Sequence, residues 1–319
     1  MEKLGEAIGG YFELELGRSR EYYPTAISLN TARNAFEYIL RVRRYKKVYV
    51  PYYTCEVMLE PIEKLKVDYE FYYIDENLEP VIDYQNIKID EGFLYTNYFG
   101  LKDKFIEDLV NKVSNLIIDN AQSFFSGPID KIDTFYSPRK FFGVSDGAYL
   151  FCNKQLDFEI ERDMSYNRMS HLLIRSDDTA EMGYPEFWNN DKSLNNQPIK
   201  KMSNLTKKIL GSVDYELVKS KRIQNFKYLH KFLKDRNLLK IESSKTKVPL
   251  VYPYWTKDLT LKTKLLEHKI YCATYWPNVT AWCQEDCLEV QLSKGLIHLP
   301  IDQRYGKEEM NKIIKLINQ

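Results

Sequence analysis

From about residue 30 to residue 155, short apolar runs alternate with amphipathic segments, a rhythm that admits few folds besides a layered α/β sheet with crossover helices. Val48-Tyr49-Val50 closed by Pro51, Phe93-Leu94-Tyr95-Thr96, Leu116-Ile117-Ile118-Asp119, Thr134-Phe135-Tyr136-Ser137 and Ala148-Tyr149-Leu150-Phe151-Cys152 read as strands, and residues 67–74 form a longer extended run. Between them, residues 31–43 put Ala32, Ala35, Phe36, Ile39 and Leu40 on one helical face, and residues 54–64 and 102–113 are helix-like. The expected sheet is mostly parallel. Residues 155–205 interrupt the rhythm, being polar and rich in Asn and Asp, and are expected to be irregular structure over the sheet. Further on, the pattern predicts a long helix over 214–234, a strand at 248–252, a helix over 259–267, strands around Tyr271 and over 296–299, and a closing helix over 307–317. This reads as a smaller α+β unit, so a large domain is placed at 1–205 and a small one at 206–319.

Charge narrows the function classes. Across 319 residues, 46 Lys and Arg face 45 Asp and Glu, so no net field favours nucleic acid or an anionic membrane. The N-terminal residues lack the apolar core of a signal peptide, and no apolar run reaches the roughly 18 residues of a membrane span. Five scattered cysteines fit a reducing compartment, the cytoplasm by default. Cys283-x-x-x-Cys287 has no second pair at zinc-ligand spacing and the four histidines are scattered, so no metal site is expected. The 25 tyrosines read as general core and surface aromatics.

The chemistry concentrates around Lys140. It lies in Ser137-Pro138-Arg139-Lys140-Phe141-Phe142-Gly143, between a short β-run and a glycine turn, downstream of Asp119-Asn120-Ala121-Gln122. A lysine amine with an acid at a strand end is the pairing that holds pyridoxal 5'-phosphate. Asp119 would emerge at the carboxyl edge of the sheet, where its charge keeps a pyridine nitrogen protonated. Gln122 would meet the ring's phenolic oxygen. The helix start at Thr31-Ala32 offers backbone N–H groups and a hydroxyl to the phosphate, and Ser137 a further hydroxyl. Tyr53, just past the second strand, either stacks on the ring or packs at the strand end. Tyr98 either lines the substrate pocket or belongs to the core. Arg175 and Lys201 are basic residues that would meet a diphosphate.

Taken together, Asn30-Thr31 before a helix, Pro51 with Thr54 after a strand, Asp119-x-x-Gln122, Ser137-Pro138-Arg139-Lys140, Gly143 and Asp146-Gly147 resemble the DegT/DnrJ/EryC1/StrS family of sugar aminotransferases. The segment Leu299-Pro300-Ile301-Asp302-Gln303-Arg304-Tyr305, Met202-Ser203 and the helix bearing Arg222 are similar to that family as well. The resemblance implies a three-layer α/β pyridoxal-phosphate-dependent transferase of fold type I (aspartate aminotransferase-like), with a mainly parallel seven-stranded sheet and a smaller C-terminal α+β domain. It also implies a homodimer with active sites at the interface. An amino-acid donor, glutamate by analogy, and a keto-sugar acceptor carried on a nucleotide would serve polysaccharide or glycoconjugate biosynthesis.

Three departures stand out. Ser145-Asp146-Gly147 replaces the family's Glu-Gly-Gly turn, and Gln197-Pro198-Ile199-Lys200-Lys201-Met202 lacks the asparagine that relatives lend to a neighbouring subunit's phosphate. Cys55 stands where some relatives carry a stacking aromatic. Two alternatives remain: a family sugar dehydratase, against which Lys140 argues because those enzymes carry histidine there, and a catalytically idle cofactor-binding or scaffold protein.

Overall fold

The computed structural model describes residues 8–17, 19–242 and 247–319. The N-terminal residues read for a signal peptide lie largely outside the described ones.

Strands β1 (Ile27–Leu29), β2 (Lys47–Pro51), β3 (Asp68–Ile74), β4 (Pro80–Val81), β5 (Glu91–Thr96), β6 (Leu116–Asn120), β7 (Asp133–Tyr136) and β8 (Ala148–Phe151) form one sheet in the order β1-β8-β7-β6-β5-β2-β3-β4. β3, β2, β5, β6 and β7 run parallel. β8 is antiparallel to β7, β1 to β8, and β4 to β3. The sheet thus has eight strands where seven are expected; β4 is too short for a periodic trace in the sequence.

Every residue of β5 and β6 is buried, as a sheet covered on both faces requires. One face packs on α1 (Ala32–Arg43), where Phe36, Ile39 and Leu40 meet Val50, Leu94, Ile117, Phe135 and Leu150. The other face is aromatic, built on Phe93, Tyr95, Tyr98, Phe124, Tyr136 and Tyr149. α2 (Leu59–Leu65) and α3 (Asp103–Leu109) belong to the crossovers. α1 begins where the Thr31 hydroxyl accepts the Asn34 N–H at 3.1 Å, and it ends at Arg44 in the left-handed region.

Residues 155–205 are not irregular throughout. They include α4 (Ser170–Asp177) and α5 (Ala180–Ser193), packed on each other. A Cβ at Gly183 would come within 3.0 Å of the His171 carbonyl, so glycine permits the close helix approach that polar composition concealed. The following stretch is laid along β1. Asn30 N–H donates to the Lys200 carbonyl at 2.9 Å, Met202 N–H donates to the Ser28 carbonyl at 3.1 Å, and Lys201 bridges to Leu29.

The C-terminal part holds α6 (Asn204–Leu210), α7 (Tyr215–Leu233), β9 (Val251–Trp255), α8 (Leu261–Glu267), α9 (Val279–Trp282), α10 (Leu288–Gly295), β10 (Leu296–Pro300) and α11 (Lys307–Asn318). β9 and β10 pair antiparallel, and Phe226, Leu229, Tyr252, Leu299, Met310 and Ile313 share a separate apolar cluster. The strand expected near Tyr271 reduces to a single bridge between Ala273 and His298. α9 and α10 occupy sequence where no element is expected, and Val279, Val290 and Leu292 join Trp276 in the aromatic cluster of the sheet.

Candidate active site

β7 delivers its chain to the carboxyl edge of the sheet, and a tight turn, Pro138–Lys140, follows at once. Lys140 N–H donates to the Ser137 carbonyl at 3.3 Å, and the Phe141 and Phe142 N–H groups both donate to the Pro138 carbonyl at 2.9 Å. Gly147, at φ +123°, passes so close that a Cβ would lie 3.1 Å from Pro138 Cγ. The Lys140 side chain leaves this turn exposed, with Nζ 5.3 Å from the centre of the Tyr275 ring.

Asp119 closes the apolar run of β6 next to Thr96 of β5 and Phe135 of β7. Its Oδ1 accepts the Ala121 N–H at 2.8 Å. Burial pushes the carboxyl up to about 6, against the opposing pull of that N–H, the Lys140 charge and the Thr96 hydroxyl. Gln122 is equally enclosed: its Oε1 accepts the Phe99 N–H at 2.9 Å, while its Nε2 is buried without a partner. That donor lacks an acceptor, a costly arrangement that a bound oxygen would relieve.

The remaining expected residues fall into distinct environments. Thr31 caps α1, with Ala32 half-buried behind it, and Ser137 is buried at the entrance of the lysine turn. Tyr53 is fully buried, its ring 5.7 Å from Tyr98 and 4.6 Å from Trp276, and its hydroxyl has no partner. Tyr98 is also fully buried and donates its hydroxyl to the Tyr53 carbonyl at 2.9 Å. Arg175 is exposed on α4, and Lys201 lies in the segment along β1. Cys55 stands near the lysine: burial pushes its thiol up, and Lys140 is the first charge opposing that rise.

The altered turn after the lysine has a structural use. Asp146 is completely buried and accepts the Ser203 N–H and hydroxyl, each at 2.8 Å, together with the Thr206 hydroxyl. The stretch without the expected asparagine is instead held by Asn30 and Asn34, whose amides donate to the Pro198 carbonyl at 3.2 and 2.8 Å.

Four further residues converge here from the C-terminal part. Arg222, on α7, lies buried with its guanidinium 4.6 Å from the Phe141 ring centre, and it donates to Gln303 Oε1 at 3.1 Å and to the Leu250 carbonyl at 2.9 Å. Gln303 in turn donates to the Phe141 carbonyl at 2.9 Å. Tyr275 faces Lys140, with His298 behind it at 4.2 Å between ring centres. No local motif marks Tyr275 or His298; the Ala273–His298 bridge and the fold of β9 and β10 bring them in.

Comparison with solved structures shows that the chain shares its fold with several sugar aminotransferases. A DegT DnrJ EryC1 StrS aminotransferase from Brucella abortus superposes with a TM-score of 0.61 at 15% identity, over 92% of this chain and 85% of that one. The sugar aminotransferase CalS13 from Micromonospora echinospora gives a TM-score of 0.61 at 11% identity, over 92% and 87%. A Bacillus subtilis structure, ntda with bound cofactor PMP, gives 0.61 at 15% identity, over 92% and 73%. No family model and no curated sequence matches the chain, so the likeness is one of fold.

Proposed function

We propose that this protein is a pyridoxal-phosphate-dependent aminotransferase that carries an amino group from an amino acid, glutamate by resemblance, to a nucleotide-linked keto sugar. The observation that carries the reading is the grouping of Lys140 with the buried carboxylate of Asp119 and the unpaired amide donor of Gln122, at adjacent strand ends of a sugar-aminotransferase fold. The residues fit the group. Asp119 would hold the ring nitrogen, whose positive charge meets the carboxylate that burial disfavours. Gln122 Nε2 would find its missing acceptor in the phenolic oxygen, and Thr31, Ala32 and Ser137 would receive the phosphate.

When bound, the cofactor serves as an electron sink that loosens a proton on the substrate's α-carbon. Lys140 would anchor the cofactor at rest and, once released, move that proton. The keto sugar would enter over the exposed amine, past Arg175 and Lys201 as phosphate partners. Polysaccharide or glycoconjugate biosynthesis, a cytoplasmic setting, the division at residue 205 and a homodimer with shared active sites complete the reading. Among the described residues, no helix is long and apolar enough to cross a membrane.

The test is spectroscopic. Purified protein is mixed with pyridoxal phosphate and then glutamate; loss of the bound cofactor's visible band supports transamination. A band that ignores glutamate and every other amino donor would favour the idle cofactor-binding protein.

A further inference from the structure

We infer that Tyr275 is a positioning residue for Lys140, its ring forming the seat on which the lysine ammonium rests when it is not bonded to another group. This deepens the aminotransferase reading and rests on it only for its consequence. The contact itself concerns two residues of the chain.

The seat is built from distant parts of the sequence. The Lys140 nitrogen lies 5.3 Å from the Tyr275 ring centre, within cation–π range. Tyr275 is held on its other sides by Phe99, nearly parallel at 6.4 Å and 18°, by His298 at 4.2 Å and by Trp276 at 5.9 Å. Phe99 is itself locked. Its backbone is left-handed at φ 58°, its N–H donates to Gln122 Oε1, and its carbonyl accepts the Leu250 N–H at 2.9 Å. A non-glycine residue in that conformation persists only where its surroundings over-determine it. Gln122, whose buried Nε2 has no partner, therefore also fixes the wall against which Tyr275 stands.

His298 suits this position because it stays neutral. Its Nδ1 lies 3.0 Å from the Ala273 carbonyl, which selects the tautomer protonated there, and burial holds its pKa down to about 3. A protonated imidazole behind Tyr275 would repel the lysine; a neutral one leaves the ring face to it.

The experiment uses the full chain without cofactor and measures acylation of Lys140 by a limiting amount of an amine-reactive ester, read by mass spectrometry against an exposed reference lysine. A seated ammonium reacts slowly. Tyr275→Leu, which removes the ring, should raise Lys140 labelling roughly two- to fivefold, the range of an exposed cation–π contact, while Tyr275→Phe stays near the parent. Should Tyr275→Leu fail to fold, Tyr275→Met gives the same comparison. Equal labelling in the parent, the ring-retaining variant and a folded ring-free variant overturns the proposal. In the loaded protein, the ring-free variant should lower kcat with KM for the amino donor little changed, and Tyr275→Phe should restore it. If the chain binds no cofactor, the aminotransferase reading fails while the labelling result still decides on the seat.

Discussion

Both oxygens of the buried Asp146 carboxylate are bonded to Ser203, one to its backbone N–H and one to its hydroxyl, so the turn after Lys140 is tied to the first turn of α6. Ser203 also caps α6, its hydroxyl accepting the Thr206 N–H at 3.1 Å. The pair joins two segments separated by 57 positions.

Loss of that carboxylate should be felt as stability first. Asp146→Ala leaves the donors on Ser203 and Thr206 unpaired, and a cost of roughly 2–4 kcal/mol is expected in urea denaturation of the cofactor-free protein. Asp146→Asn, which keeps shape and one acceptor, should lose less. Asp119→Asn should harm turnover far more than Asp146→Asn does.

Lys140→Ala separates chemistry from folding. The side chain is exposed, so the variant should unfold within about 1 kcal/mol of the parent. It should lose the absorbance of covalently held cofactor and all turnover; full activity in this variant would remove the basis of the proposed function.

Asp119 predicts a pH dependence. Its carboxyl is raised from 3.8 to about 6 by burial, so folding favours the protonated form. The associated stability is complete below the unfolded pKa and is lost as pH rises through the folded one. Between about pH 3 and pH 7, the cofactor-free parent should lose roughly 3 kcal/mol relative to Asp119→Asn, which cannot titrate. Denaturation midpoints of the two proteins across that window provide the measurement, and parallel curves would show that Asp119 is not so enclosed.

Gly147→Ala addresses the turn. At φ +123° a side chain is strained, and the added methyl would press on Pro138. A loss of about 1–3 kcal/mol is expected in thermal or urea unfolding. Because Pro138 opens the lysine turn, cofactor affinity should fall with it in an equilibrium titration.

The central strands were legible because burial on both faces leaves an unbroken apolar run, as in Leu116-Ile117-Ile118, and Asp119 was legible because it ends that run. β1 escaped because three residues carry no period, and it exists through pairing with β8. α4 and α5 escaped because their stability comes from mutual packing around Gly183, which composition does not report. Of the site, Lys140, Asp119 and Gln122 sit on local patterns. Tyr275, His298 and Arg222 lie more than 80 residues beyond Lys140 and reach it through β9, β10 and α7, a convergence no local spacing encodes.

The segment along β1 has a consequence for how copies of this chain can meet. Hydrogen bonds from Met202 to Ser28 and from Asn30 to Lys200 occupy the outer rim of the sheet, leaving no row of free backbone groups on that strand. At the opposite rim Pro80 brings no N–H, and Asp68 and Glu70 set charge along β3. Growth by adding a foreign strand is blocked at one border and discouraged at the other. For this sheet, contact between copies is therefore favoured through side chains and faces, which leaves the carboxyl edge that bears Lys140 open to be shaped by a neighbour without the sheet itself being extended.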